Sequence, residues 1–266
     1  MSINTPKSNN TPNSGNTIVI IPARMASTRL PGKPLADICG MPMIAQVWNR
    51  GMEAKIGKVL VAAGEDDIAS AIRNAGGDAI LTDTNLPSGS DRVAQALAMR
   101  DPDRQFEYIV NLQGDLPTID PKAIRACLGA FLTYDADITT LVAKIDNEEE
   151  LTNPNVVKAI TQFAQGASTA LATDFVREMP DQTPPPFWHH IGIYAYRRSA
   201  LEKFVALPVS AREQSRSLEQ MRALDNQMKI AVSKVDVVPF GVDTQEDLAL
   251  ARQVIAQKNQ QDTNQS

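Results

Sequence analysis

The stretch that decides the fold is T-I-V-I-I-P at residues 17–22, which runs directly into A-R-M-A-S-T-R-L-P-G-K-P at residues 23–34. The first part is a β-branched apolar run without polar alternation, as expected for a strand buried on both faces of a parallel sheet. The second part is a loop that combines small and cationic residues. A buried strand followed by such a loop, and then by a helical pattern at residues 43–54, is typical of the start of an α/β domain.

Strand and helix patterns continue to alternate along the chain, which indicates βαβ units with right-handed crossovers. We therefore predict an α/β fold with a mostly parallel mixed sheet and helices on both faces. After residue 121 the pattern loosens. The further predicted strands are 58–63, 78–82, 107–112, 138–144, 156–163, 190–196 and 229–233, and the further predicted helices are 66–75, 91–99, 121–131, 199–206, 212–224 and 244–257.

Composition and charge exclude several classes of protein. The chain has 266 residues, of which 43% are hydrophobic, and a net charge of −5, so a large core is possible and nucleic acid is disfavoured as a partner. The two cysteines cannot form a disulfide framework, and no apolar run approaches the ~20 residues of a membrane span. We expect a cytoplasmic protein without a membrane partner. Residues 17–256 are predicted to form a single domain between disordered polar tails at residues 1–16 and 257–266.

The loop at residues 23–34 is the first candidate binding element. In open α/β sheets, ligands bind at the carboxyl ends of the strands, and this loop leaves the first strand. Arg24, Arg29 and Lys33 lie among small residues that allow the backbone to approach a polyanion. The loop therefore predicts phosphate binding, and a solvated basic loop is the alternative.

Two further loops carry aspartates at predicted strand ends or helix starts. Asp115 lies in Q-G-D-L-P at residues 113–117, and Asp243 lies in G-V-D-T at residues 241–244. Carboxylate oxygen is the ligand type that Mg²⁺ prefers. The alternatives are a turn-forming aspartate for Asp115 and a helix N-cap for Asp243.

These loops and several later motifs together resemble one family, the CMP-Kdo synthetases, also named 3-deoxy-manno-octulosonate cytidylyltransferases. The resemblance covers nearly all of the chain between the tails, in the order of the family. The motifs that carry it are R-M-A-S-T-R-L-P-G-K-P-L at 24–35, S-G-S-D-R at 88–92, N-L-Q-G-D-L-P at 111–117, N-P-N-V-V-K at 153–158, H-I-G-I-Y-A-Y-R at 190–197, L-E-Q-M-R at 218–222 and G-V-D-T-Q-E-D-L at 241–248.

The resemblance implies a fold and a reaction. The fold would be the Rossmann-like nucleotide-diphosphosugar transferase fold, with a smaller part for sugar binding and dimerisation. The reaction would join CTP to the acid sugar Kdo, giving CMP-Kdo and pyrophosphate for lipopolysaccharide biosynthesis. Mg²⁺ would be the cofactor, and the protein would be a homodimer.

The resemblance also assigns residues. Arg24, Lys33, Asp115 and Asp243 would be catalytic, with the two aspartates as the metal ligands. His190, Tyr194, Glu219 and Gln220 would bind the sugar. The residues that would bind the nucleotide are Pro22, Ala23, Arg24, Thr28, Arg29, Lys33, Ser88, Gly89, Ser90, Arg92, Gln113, Gly114 and Asp115.

Two departures from the family pattern fall on the sugar side or in the dimer-forming part, and not around CTP. A-L-A-T-D-F-V-R-E-M-P at residues 170–180 replaces the usual Y-F-S-R-A-type segment, so that only Arg177 remains there, displaced. Arg216 lies near the place of a usual acidic residue. Two alternatives to Kdo transfer therefore stay open. The substrate would be an amino-Kdo or another acid sugar, or the protein would be a homologue that binds CTP without turnover.

Overall fold

The computed structural model describes residues 11–180 and 184–264, which form two compact units. The first unit comprises residues 17–105, 111–124 and 239–264, and the second comprises residues 11–16, 106–110 and 125–238. Of the tail predicted to be disordered at residues 1–16, residues 1–10 lie outside the described residues, whereas Asn16 is buried and its carbonyl oxygen accepts the backbone N–H of Glu107 at 2.9 Å. The prediction of one domain over residues 17–256 stays a prediction.

The described residues form strands and helices that alternate along most of the chain. The strands are β1 (Thr17–Ala23), β2 (Asp37–Ile38), β3 (Met41–Pro42), β4 (Lys58–Ala63), β5 (Asp78–Leu81), β6 (Tyr108–Asn111), β7 (Ile138–Ile145), β8 (Lys158–Thr161), β9 (Thr169–Val176), β10 (Phe187–Arg197) and β11 (Ile230–Val235). The α-helices are α1 (Met43–Ala54), α2 (Asp66–Asn74), α3 (Gly89–Arg100), α4 (Pro121–Gly129), α5 (Glu148–Thr152), α6 (Arg198–Ala206), α7 (Ala211–Arg216), α8 (Gln220–Asp225) and α9 (Gln245–Asn264).

The first unit is built on parallel strands in the order β5-β4-β1. Strand β1 is buried along its length except for the half-buried Pro22, as its unbroken apolar sequence predicts. Ala23 at the end of β1 is level with Ala63 at the end of β4. The loops that leave these two strands therefore start side by side.

A small apolar core fixes the C-terminal segment of the first unit to the loop after β1. Leu248, Ala251 and Ile255 of α9 are buried in one cluster with Leu30 and Ile38. Burying one such aliphatic side chain contributes about 1.5–3 kcal/mol. This packing brings residues from the two ends of the first unit's sequence to one place.

The second unit contains a sheet in the order β6-β10-β7-β11-β9-β8. Strand β11 is parallel to β7, whereas β10 is antiparallel to β7 and β9 is antiparallel to both β11 and β8. The α/β fold with a mixed sheet is thus confirmed. A register shift between Ile191 and Tyr194 interrupts the pairing of β10 with β7.

Several element bounds differ from the prediction. Strand β9 has no predicted counterpart, and the helix predicted at residues 212–224 is divided into α7 and α8 at Ser217, whose φ of 52° is left-handed. Helix α9 continues to Asn264, so the stretch from residue 257, predicted to be a disordered tail, is helical as far as the description reaches. In residues 11–180 and 184–264, no helix is both long enough and apolar enough to cross a bilayer.

Candidate functional site

A cavity of about 460 Å³ opens in the first unit at the end of β1. Most of its wall comes from the loop after β1, and the remainder comes from the start of α3, from the loop after β6 and from Asp243. The lining residues are Pro22, Ala23, Arg24, Ala26, Ser27, Thr28, Arg29, Lys33, Pro34, Leu86, Ser88, Gly89, Arg92, Gln113, Gly114, Asp115 and Asp243.

The cavity gathers the residues predicted for nucleotide binding, apart from Ser90. That residue is buried in the first turn of α3 and is not part of the lining. The four residues predicted to be catalytic, Arg24, Lys33, Asp115 and Asp243, all line it. Residues more than two hundred positions apart in the sequence thus meet at one strand edge.

Lys33 joins the two aspartates. Its Nζ lies 3.0 Å from Oδ2 of Asp115 and 2.9 Å from Oδ1 of Asp243. Arg29 reaches the other oxygen of Asp243, with Nη2 to Oδ2 at 2.8 Å. The two carboxylates therefore face a common position that a positive charge occupies.

The side chain of Asp243 is available for this contact because a neighbouring residue caps the helix. Thr244 Oγ1 accepts the backbone N–H of Asp247 at 3.2 Å, and the Asp247 carboxylate accepts the backbone N–H groups of Asp243 and Thr244 at 3.0 and 2.9 Å. This reciprocal arrangement is a capping box. The N-cap alternative for Asp243 is therefore wrong.

The charge of Lys33 is stabilised by its partners. Burial lowers the pKa of the ammonium, but the charge of Asp115 and the hydrogen bonds to Asp243 and Asp115 outweigh burial, so the pKa is raised above its ordinary value. Lys33 is therefore fully cationic at neutral pH. It can bind either a carboxylate or a phosphate.

Arg92 brings a further cation to the cavity from α3. Its side chain is buried, and Nη1 donates to Oγ1 of Thr82 at 2.5 Å. Burial lowers its pKa, while the charge of Glu65 opposes the shift and that of Arg24 adds to it. Arg24 itself is exposed at the cavity.

The first turn of α3 also faces the cavity. Ser88 is its N-cap, and its hydroxyl oxygen accepts the N–H of Asp91 at 3.2 Å. The N-terminus of a helix carries unpaired N–H groups and a partial positive charge, which favour bound anions. Cations and helix terminus together make the cavity suited to a polyanion.

The loop after β6 reaches the cavity through a close backbone approach. A Cβ at Gly114 would lie 2.8 Å from the carbonyl oxygen of Pro22, so a glycine is required there. Beside it, Gln113 Nε2 donates to Oδ1 of Asn111 at 3.1 Å. The backbone N–H of Val242 donates to the carbonyl oxygen of Asp115 at 2.9 Å, which ties the two aspartate loops together.

The donor set at Asp115 and Asp243 fits Mg²⁺. Both are carboxylates, both are partly exposed, and they already share one cationic neighbour. In proteins Mg²⁺ is usually held by one or two carboxylates together with substrate phosphates. Within the described residues no group of three or more His, Cys, Asp or Glu is placed to hold a metal ion.

The residues predicted for the sugar lie in the second unit. His190 is buried, with Nε2 at 3.0 Å from Thr140 Oγ1 and its ring 4.8 Å from that of Phe175. Burial, reinforced by the neighbouring His189, lowers the pKa of His190 to about 3. His190 is therefore a neutral imidazole at physiological pH.

Tyr194 follows His190 along β10, with a distance of 5.6 Å between the two ring centroids. Burial raises the pKa of Tyr194 well above its ordinary value, and the charge of Glu219 adds to the effect. Gln220 is buried, and within the described part of the chain its Nε2 has no hydrogen-bond partner. The four predicted sugar-side residues thus belong to one unit.

Arg177 and Arg216, which mark the departures from the family pattern, are engaged in structural contacts. Arg177 donates to the carbonyl oxygens of Pro154, Arg216 and Ser217 at 2.8–3.1 Å. Arg216 Nη1 lies 2.7 Å from the Asp174 carboxylate. Both arginines therefore stabilise the segment around α7.

Sequence reasoning missed several residues of the first unit's site. Thr82 holds Arg92, Leu86 lines the cavity, and Glu65 accepts the backbone N–H of Met25 at 2.8 Å. Glu65 follows the end of β4. The rule that ligands bind beyond the carboxyl ends of parallel strands could have identified it.

Comparisons with known proteins identify the family of the chain. The model of the cytidylyltransferase family matches residues 18–230. The 3-deoxy-manno-octulosonate cytidylyltransferase of Parvibaculum lavamentivorans is 56% identical over 92% of this chain and 95% of its own length. The corresponding protein of Rhodospirillum rubrum is 56% identical over 90% of this chain and 95% of its own length.

A solved structure also resembles the chain in three dimensions. It is CMP:2-keto-3-deoxy-manno-octonic acid synthetase complexed with CTP, and it superposes with a TM-score of 0.82 at 34% identity, covering 91% of this chain and 99% of that one. Both relatives are more than 50% identical to this chain over at least 90% of its length, and the superposition agrees with them. The chain belongs to the 3-deoxy-manno-octulosonate cytidylyltransferase family.

Proposed function

We propose that this protein transfers the cytidylyl group of CTP to Kdo, forming CMP-Kdo and pyrophosphate. The observation that carries the proposal is the convergence of Lys33, Asp115 and Asp243 on one position at the edge of a cationic cavity. The anomeric hydroxyl oxygen of the sugar attacks the α-phosphorus of CTP. The bond between the α-phosphorus and the pyrophosphate oxygen breaks, and the hydroxyl loses its proton.

The cations of the cavity bind the triphosphate in this proposal. Lys33, Arg24 and Arg29 come from one loop, and Arg92 comes from the helix whose N-terminus faces the same cavity. Catalysis of phosphoryl and nucleotidyl transfer depends mainly on position and charge. These residues hold the pyrophosphate leaving group and stabilise the negative charge that develops on it.

Asp115 and Asp243 hold the divalent metal, for which we propose Mg²⁺. When bound, Mg²⁺ supplies positive charge that neutralises the phosphates and helps the leaving oxygen depart. Lys33 and Arg29 exchange carboxylate oxygens for phosphate oxygens as the nucleotide arrives. Asp115 and Asp243 would then be available to hold the metal.

The base and the sugar are bound by other residues. Gln113 and the start of α3 at Ser88 and Gly89 contact cytosine and ribose, whereas the predicted contact of Ser90 would require its buried side chain to be reached. Tyr194, Glu219 and Gln220 bind the acid sugar, together with His190. The buried amide of Gln220 supports this assignment, because a buried polar group without a partner is costly unless a ligand pairs with it.

We further propose that the protein is a cytoplasmic homodimer, as the family resemblance implies. Its nucleotide and sugar substrates are soluble anions. Size-exclusion chromatography with light scattering tests the dimer directly. A monomeric mass at micromolar concentration would contradict it.

The decisive experiment measures pyrophosphate release from CTP and Mg²⁺ with a panel of acid sugars that includes Kdo and amino-Kdo. Release with Kdo supports the proposal. Release with only another acid sugar would assign that sugar as the substrate in place of Kdo. This outcome is tested because Arg177 and Arg216 mark departures from the family pattern on the sugar side. CTP binding without release from any sugar would identify a homologue that has lost turnover.

A further inference from the structure

The loop after β4 supports the phosphate-binding loop after β1 through two hydrogen bonds. The backbone N–H of Gly64 donates to the carbonyl oxygen of Ala23 at 2.8 Å. The backbone N–H of Met25 donates to the carboxylate of Glu65, also at 2.8 Å. These bonds enclose Arg24 on both sides along the chain, so they fix the direction in which its backbone runs.

Glu65 is the N-cap residue of α2, but its side chain makes no hydrogen bond to the N-terminal groups of its own helix. The side chains that ordinarily cap a helix N-terminus are the shorter Ser, Thr, Asp and Asn. The carboxylate of Glu65 is instead directed to the neighbouring loop.

The space around Gly64 shows how closely the cations pack there. A Cβ on Gly64 would lie 3.2 Å from Nη1 of Arg92 and 3.3 Å from Cβ of Arg24. The two cations are close enough for Arg24 to lower the pKa of Arg92, although burial is the main cause and Glu65 opposes it. A carboxylate beside two like charges stabilises the pair.

We propose that Glu65 is a positioning residue for cytidylyl transfer: its carboxylate accepts the Met25 N–H and thereby aims Arg24 at the triphosphate. The inference rests on the proposed function of the cavity. It adds a residue on a different loop, one that is not among the residues lining the cavity. A misplacement of about 1 Å at such a group can cost up to a hundredfold in rate.

The test uses the full-length protein and four substitutions. Glu65→Met keeps the length of the side chain without the acceptor, Glu65→Gln keeps an acceptor oxygen, and Glu65→Asp moves the acceptor back by one methylene. Asp66→Ala is the matched control. It removes an exposed acid from the same helix end, where Asp66 contacts only Ser70 and Arg73 among the described residues.

We expect kcat/KM for CTP to fall about 10- to 30-fold in Glu65→Met and Glu65→Asp, a loss of about 1.4–2 kcal/mol. Glu65→Gln should stay within about threefold of the unsubstituted protein, and Asp66→Ala within about twofold. The melting temperature of Glu65→Asp should be unchanged, because aspartate is a good N-cap. Retention of kcat/KM in Glu65→Gln would show that the acceptor oxygen, and not the negative charge, is what positions Arg24. The unchanged melting temperature of Glu65→Asp would show that its loss of kcat/KM is not a loss of overall stability.

Two results would overturn the inference. One is unchanged kcat/KM in both Glu65→Met and Glu65→Asp, and the other is a Glu65→Gln protein as impaired as Glu65→Met. Failure of the proposed function would look different, because the unsubstituted protein itself would then release no pyrophosphate. In that case, the affinity for inorganic tripolyphosphate tests whether Glu65 positions Arg24. Equal affinity in the unsubstituted protein and in Glu65→Met would contradict the positioning role.

Discussion

Replacing Lys33 by methionine should change metal binding and turnover in opposite directions. In the structure the Lys33 ammonium bridges Asp115 and Asp243 at 3.0 and 2.9 Å, so a metal that binds both carboxylates must displace it. Methionine has similar bulk and no charge. The two aspartates then lose the cation that bridges them and keep only Arg29, which contacts Asp243, as a counter-charge, so the free protein should bind a divalent cation more tightly.

The size of the effect follows from the exposure of the ion pairs. Lys33 is mostly buried, with 15% of its side chain exposed, but Asp115 and Asp243 are 32% and 44% exposed. Partly exposed pairs are worth about 0.5–1 kcal/mol each, so losing the competition from two of them should raise metal affinity roughly 5- to 30-fold. Pyrophosphate release should meanwhile fall, since the triphosphate loses a charged partner.

The assay is titration of the nucleotide-free protein with Mn²⁺, followed by electron paramagnetic resonance of the unbound ion. Lys203→Met is the matched control, because Lys203 is exposed on α6 and the change in net charge is the same. Its affinity should stay within about twofold of the unsubstituted protein. Mn²⁺ binding to Lys33→Met that is no tighter than in the control would refute the reasoning.

Three other substitutions test separate parts of the account. Asp243→Asn should lower the rate of pyrophosphate release by about 10- to 100-fold, because a charge-assisted contact of about 1.5–3 kcal/mol is lost. A shift of more than a few degrees in the melting temperature of this variant would instead indicate a structural role for Asp243. Gly114→Ala should lower the free energy of unfolding, measured in urea, by about 1–3 kcal/mol and should weaken CTP binding, because the new Cβ would lie 2.8 Å from the Pro22 carbonyl oxygen. Unchanged stability would show that the loop of Gly114 can move away from Pro22 at no cost. Because the unfolded chain binds a proton near pH 6.5 that buried His190 does not accept until about pH 3, the free energy of unfolding should fall with decreasing pH across this window by up to about 1.4 kcal/mol per pH unit. His190→Gln should have a flatter profile between pH 6.5 and 5, and identical slopes in the two proteins would contradict the buried neutral histidine.

The first unit was readable from sequence because its signals are local and strong. The unbroken apolar run of β1 predicts a doubly buried strand, and the rule for strand ends then places the cationic loop at a binding edge. The meeting of Asp115 and Asp243 also followed from that rule together with the family resemblance. The sequence T-Q-E-D at residues 244–247 already resembles a capping box, and the family resemblance favoured the ligand role for Asp243. The structure adds that Thr244 and Asp247 form this box, which leaves the Asp243 side chain available to Lys33 and Arg29.

The second unit was harder because its structure depends on irregularities that short patterns do not encode. Strand β9 is interrupted by polar and small residues, with Asp174 held by Arg216 from another element. Ser217 ends α7 in a left-handed conformation without a glycine or proline to mark the break. In β10, even spacing relates His190 to Tyr194 in the sequence, yet the register shift between Ile191 and Tyr194 alters their pairing with β7.

The most direct test of the central claim is a crystal structure of the full-length protein with CTP and Mn²⁺, in which the metal is located by its anomalous scattering. We predict an anomalous peak within coordination distance, about 2.1–2.3 Å, of carboxylate oxygens of both Asp115 and Asp243. The Lys33 ammonium should lie on a phosphate oxygen in that complex. A metal peak or a triphosphate located outside this cavity would contradict the account.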